Sequence, residues 1–148
     1  MESFRLQNST LLIRAAVDEI VYVKADGNYS DIVLINGRSY KITYQLNQFE
    51  KGFNALQNSD LFIRVGRSLI VNWKYVQIIN LVEQTIVFGG KHLVPQQKNE
   101  NPHSWRPGQG ELNAPSKDIY TISGVSRDAL RYLKEQLAIK IGGEQNEQ

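Results

Sequence analysis

Phe62-Ile63-Arg64-Val65-Gly66-Arg67-Ser68-Leu69-Ile70-Val71-Asn72 sets a small, flexible, basic turn between two apolar segments. β-Branched and aromatic residues on either side predict strands over 62–65 and 69–71. A connection inside a core has no need of two guanidiniums at such a turn. A surface that grips anions does, because arginine presents a planar fork of donors matched to phosphate oxygens and to the edge of guanine. Taken alone the pattern is ordinary, since an arginine beside a turn is most often simply solvated.

Working outward, Ile20-Val21-Tyr22-Val23-Lys24-Ala25-Asp26-Gly27-Asn28-Tyr29-Ser30-Asp31-Ile32 has a similar form. A β-rich segment over 20–25 stops at Asp26-Gly27 and presents Asn28, Tyr29 and Ser30 before the next strand, Ser30–Ile35. Asn36-Gly37 then leads into a third strand, Ser39–Thr43, and this dipeptide predicts a type I′ hairpin turn because both residues tolerate positive φ. Leu46, Phe49, Phe53 and Leu56 recur at helical spacing, with the phenylalanines as core and Asn58-Ser59-Asp60 as the stop. Strands are also predicted at Val76–Leu81 and Thr85–Phe88, with turns at Glu83-Gln84 and Gly89-Gly90. Asn72, just ahead of Trp73-Lys74-Tyr75, reads as a structural turn residue whose side chain bonds nearby backbone.

From Lys91 to Asp118 the character changes, and all four prolines of the chain (Pro95, Pro102, Pro107 and Pro115) fall in this stretch. It reads as a long, polar, mobile loop inserted in the last hairpin. Ile119-Tyr120-Thr121-Ile122 restores a strand. A final helix follows Val125, with Ser126 as N-cap and Leu130, Leu133 and Leu137 as its buried stripe. Short strands joined by tight turns predict a mainly β fold of antiparallel strands in small sheets, flanked by short helices. The expected division is an N-terminal lead-in over 1–14, a single domain over 15–140 with the inserted loop at 91–118, and a flexible tail over 141–148.

Composition narrows the chemistry. With 148 residues, 41% of them hydrophobic, the chain can bury one real core. Having no cysteine, it cannot form disulfides, thiolate metal sites or Cys nucleophiles. His92 and His103, the two histidines, lie in polar loop sequence with no partner ligands, so neither a metal nor a cofactor is expected. No Ser-His-Asp arrangement, phosphate-cradling loop or paired carboxylates stand out, Asp18-Glu19 reads as solvated, and no enzyme is expected. Trp73 and Trp105 read as packing residues. Met1-Glu2-Ser3-Phe4-Arg5 carries no secretory segment and no apolar run is long enough to span a bilayer. A cytoplasmic protein without a membrane partner is the expectation. A net charge of +2 permits nucleic-acid binding without arguing for it.

Read together and in order, the 20–32 stretch, the 62–72 stretch and Val125-Ser126-Arg127-Asp128 leading into Leu130-Arg131-Tyr132-Leu133 resemble the LytTR family of bacterial DNA-binding domains. The resemblance runs from about Val17 to Leu137 and is broken by the 91–118 insertion. It implies double-stranded DNA gripped by loops rather than by a recognition helix. Arg67 would read a base and Ser68 touch a phosphate, with Arg64 and Gly66 in the same loop. Gly66 stands where many members carry histidine, which removes one contact. Ser30 would face a base, while Asn28 and Tyr29 either join it or close the turn. Lys24 and Lys41 are phosphate contacts or ordinary solvated lysines. Arg127 would enter a groove from the first turn of its helix, where the dipole disfavours a cation by about 0.3–1 kcal/mol.

The implied function is sequence-specific DNA binding by a transcriptional regulator, reading successive major grooves of repeated half-sites, with a homodimer forming on DNA. Leu11-Leu12-Ile13 and the first strand follow the N-terminus closely, so a stand-alone regulator without a receiver domain is expected. The rival reading is a protein-interaction module that keeps the fold and binds another regulator through Lys91–Asp118.

Overall fold

The computed structural model describes residues 2–94 and 119–142. In chain order the elements are β1 (Ser3–Gln7), β2 (Leu12–Ala16), β3 (Ile20–Asp26), β4 (Tyr29–Leu34), β5 (Ser39–Ile42), α1 (Leu46–Asn54), β6 (Phe62–Val65), β7 (Leu69–Asn72), β8 (Val76–Asn80), β9 (Thr85–Phe88), β10 (Thr121–Ile122) and α2 (Arg127–Ile141). All pairings among them are antiparallel.

Ile20, Val21, Tyr22 and Val23 are all buried, which a strand with one wet face cannot accommodate. Their strand sits near the middle of a five-stranded sheet of order β5-β4-β3-β7-β6, covered on both faces. On one side Ile20, Val23, Ile32 and Ile70 pack with Phe49 and Phe53 of α1 and with Phe4, Leu6 and Ile13 of the β1–β2 hairpin. On the other, Val21, Tyr22, Ile63 and Val71 meet Leu130 and Leu133 of α2 together with Ile86 and Phe88. The last two belong to a three-stranded sheet of order β10-β9-β8. Val21 and Tyr22 are consecutive yet share a face because the register of β3 against β4 shifts between Ile20 and Tyr22. A bulge of this kind lets two neighbours point the same way.

The structure departs from the expectations in three places. Residues 1–14 are not a mere lead-in: 3–7 and 12–16 form a hairpin that contributes Phe4, Leu6 and Ile13 to the main core. At Asn36-Gly37, Gly37 has φ +84° but Asn36 stays out of the positive-φ region. Gly37 N–H donates to the Leu34 carbonyl (3.1 Å) and Leu34 N–H to that of Arg38 (2.9 Å). That is a three-residue loop with a bulged glycine rather than a type I′ turn, supported by the Arg38 N–H donating to Asn36 Oδ1 at 3.0 Å. Finally, β10 shortens to Thr121–Ile122, although the Phe88 N–H still donates to the Tyr120 carbonyl (2.8 Å) and the Tyr120 hydroxyl donates to that of Val94 (2.6 Å). The inserted loop, apart from Lys91, His92, Leu93 and Val94, lies outside the described residues, as do His103, Trp105 and the tail beyond Gly142.

Asn72 does what its position suggests. It is fully buried, donating from Nδ2 to the Ile20 carbonyl (3.0 Å) and accepting the Lys74 N–H at Oδ1 (3.1 Å).

Candidate functional site

One end of the five-stranded sheet gathers the loops. Lys24 pairs with Leu69 across β3 and β7, and Ala25 N–H donates to the Ser68 carbonyl at 2.8 Å. The turn at 66–68 is thereby laid beside the β3–β4 hairpin tip, where Asn28 and Tyr29 are exposed. Helix α2 closes the other side. Its N-cap Ser126 accepts the Ala129 N–H at Oγ (3.2 Å), and the residue before it, Val125, exchanges hydrogen bonds with Gln84 of the β8–β9 turn. Gly66 faces Ala129 closely: a Cβ built on the glycine would lie 3.5 Å from the alanine methyl.

Between these walls runs an open cleft of about 510 Å³. Lys24, Gly66, Arg67 and Ser68 form one wall; Ser123, Gly124 and Ser126 form the other. Among the lining residues two are cationic and none carries a carboxylate. A cleft lined by one sign of charge concentrates anions. Arg67 is exposed and its guanidinium is unpaired among the described residues.

Not every residue expected at the site belongs to it. Ser30 has no exposed surface, and its hydroxyl donates to the Tyr44 carbonyl at 2.7 Å. It points into the sheet's packing, because β4 alternates and the residue after the exposed Tyr29 must turn inward. Its base-facing role is withdrawn. Arg64 is also not a free cation. Its guanidinium donates to the carbonyls of Gly66 (3.0 Å) and Arg67 (2.8 Å), to Asn47 Oδ1 (3.1 Å), and to Glu50 in a 2.8 Å ion pair. Arg127 is exposed but lies outside the cleft wall, its Nε donating to the Leu81 carbonyl at 3.1 Å. That bond gives the arginine a local use that offsets its unfavourable place at the helix start.

Lys41 is held between two carboxylates, Asp26 at 2.6 Å and Asp31 at 3.0 Å, and lies 5.9 Å from the centre of the Tyr29 ring. Hydrogen bonds to Asp26 and Asp31 raise its pKa above the ordinary lysine value, so the charge is firm but already neutralised. Of the expected residues, the structure therefore brings Lys24, Gly66, Arg67 and Ser68 together, with Asn28 and Tyr29 at the adjoining hairpin tip. Sequence reasoning missed Ser123 and Gly124, which carry no motif. It also missed Glu50 and Asn47, which sit on a helix with no local link to the basic turn. Among the described residues no group of three or more histidines and acidic side chains could hold a metal.

The model of the LytTr DNA-binding domain family matches residues 11–99 of the chain. No curated protein matches. Among solved structures, the LytTr DNA-binding domain of a putative methyl-accepting/DNA response regulator from Bacillus cereus aligns with a TM-score of 0.54. The two are 17% identical, over 93% of this chain and 97% of that one, so the likeness is one of fold.

Proposed function

Since the chain belongs to the LytTR family of DNA-binding domains, we propose that it binds double-stranded DNA sequence-specifically as a transcriptional regulator, through the cleft end of its large sheet. The observation that carries the reading is Arg67, exposed and unpaired among the described residues, beside Lys24 in a cleft that no described carboxylate lines. Arg67 is the base reader. Lys24 and Ser68 hold the backbone of the duplex, and Asn28 and Tyr29 reach an adjoining groove from the hairpin tip. Arg127, anchored through Nε, offers its terminal nitrogens to a phosphate. One guanidinium specifies few bases, so repeated half-sites read by two protomers complete the address. No helix among the described residues is long and apolar enough to cross a membrane.

The test is selection of bound duplexes from a random pool, with wild type and Arg67→Ala in parallel. Wild type should enrich a repeated half-site. Arg67→Ala should lose about 1–3 kcal/mol of discrimination at one base position, the worth of a good bidentate contact. Its melting temperature should stay at the wild-type value. Binding should also weaken with salt, by a log–log slope of about −0.9 per phosphate contacted. No enrichment even at low salt would sink the reading. The rival, a protein-interaction module acting through 91–118, would then be the one to pursue.

A further inference from the structure

Arg64 spends four of its five N–H groups inside the molecule, and its side chain is only 25% exposed. Two of those bonds close on the turn itself, at the carbonyls of Gly66 and Arg67. The other two reach across to Asn47 and Glu50, one turn apart on α1. The adjoining face of that helix carries Leu46, Phe49 and Phe53, all buried. Through one guanidinium, then, two carbonyls of an exposed turn are tied to a helix seated in the core. The turn needs such a tie, since Gly66 holds φ +66°, where glycine has no intrinsic preference for one conformer over many.

We infer that Arg64, with Glu50 and Asn47, is a clamp that presets the Gly66–Arg67 turn and so fixes the direction in which Arg67 is presented. The inference rests on the DNA-reading role given above to Arg67. Arg64 and Glu50 are positioning residues, and the clamp contributes to discrimination between sequences rather than to attraction for the duplex. A side chain held ready loses less freedom on binding, and a misaimed fork cannot make both bonds of a bidentate contact. Only a planar fork serves here. A lysine amine donates from a single point and cannot span the turn carbonyls and the α1 carboxylate together.

Arg64→Lys keeps the charge and removes the fork, which makes it the decisive variant, with Arg64→Ala beside it. Four quantities are compared with wild type: affinity for the selected duplex, affinity for a scrambled duplex, the salt slope of binding, and amide hydrogen exchange of residues 66–68 in the free protein. The expected result for Arg64→Lys is loss of roughly tenfold in the ratio of the two affinities, from a contact worth a factor of about 5 to 150. Scrambled-duplex affinity and salt slope should be unchanged, and exchange at 66–68 should be faster. An unchanged ratio in Arg64→Lys overturns the clamp. So does a salt slope that falls by about one phosphate in Arg64→Ala while Arg64→Lys behaves as wild type, which would make Arg64 a direct phosphate contact. If wild type binds no duplex at all, the DNA-reading role fails by itself. Faster exchange in Arg64→Lys would then still support the clamp on the turn, and unchanged exchange would refute it.

Discussion

Ser30 and Arg67 are both polar residues flanking turns at the same end of the sheet, yet one is sealed and the other exposed. The difference comes from strand alternation and from a carbonyl at hand: Tyr44 offers its oxygen 2.7 Å from the Ser30 hydroxyl. Ser30→Ala should therefore cost stability and not binding. The expected loss is about 0.5–1.5 kcal/mol in urea unfolding, the net worth of one hydrogen bond, with duplex affinity unaltered. Weaker duplex binding with unchanged stability would restore Ser30 to the surface. Arg64 and Arg67 show the same lesson for charge. Their spacing marks a basic turn in the sequence, but it does not say which guanidinium is spent holding the turn and which is presented by it. That choice depends on Glu50, 14 residues back in the chain and brought close only by folding.

At the level of elements, the local signals served well where they were truly local. The β6 and β9 bounds, the start of α1 at Leu46 and the Ser126 cap of α2 all lie where β-branching, apolar spacing and capping chemistry put them. The Asn36-Gly37 turn kept its glycine in the left-handed region but chose a longer loop, since Asn36 accepts a backbone N–H instead of taking positive φ itself. The N-terminal hairpin was the element least visible. Its value lies in Phe4, whose ring centre is 4.7 Å from that of Phe53 and 6.1 Å from that of Phe49. Gly52 makes room for it, since a Cβ there would come within 2.9 Å of the Phe4 ring. Phe4→Ala should cost about 3–5 kcal/mol of unfolding free energy, as for other buried aromatics truncated to alanine. A loss below about 1 kcal/mol would mean the hairpin is only loosely attached.

For the molecule as a whole, two titrations among the described residues weaken the fold at alkaline pH. Lys41 is raised by its hydrogen bonds to Asp26 and Asp31, and Tyr75 is raised first by burial and then by the nearby charges of Asp18 and Glu19. In both cases the fold favours the protonated form. Their stabilisation is thus complete below the unfolded values, 10.5 for the lysine and 10.0 for the tyrosine, and is lost as pH climbs through the higher folded values. The melting temperature should hold level up to about those values and fall above them. Tyr75→Phe, which cannot ionise, should give a shallower fall while melting lower at neutral pH, where the hydroxyl's bond to the Asp18 carbonyl is lost. Identical alkaline slopes in the two proteins would remove Tyr75 from the account.

By itself the sequence determined the run of strands and helices from β3 onward, the antiparallel character, and the basic turn at 64–68, because each is written in residues a few positions apart. Only the tertiary structure decided that the 3–16 hairpin completes the core, that Ser30 is enclosed, and that Arg64 is held by Glu50 while Arg67 is exposed. The physical reason is that a side chain's exposure and hydrogen-bond partners are properties of the space around it. That space is built by segments far apart along the chain, and no local pattern carries their relative placement.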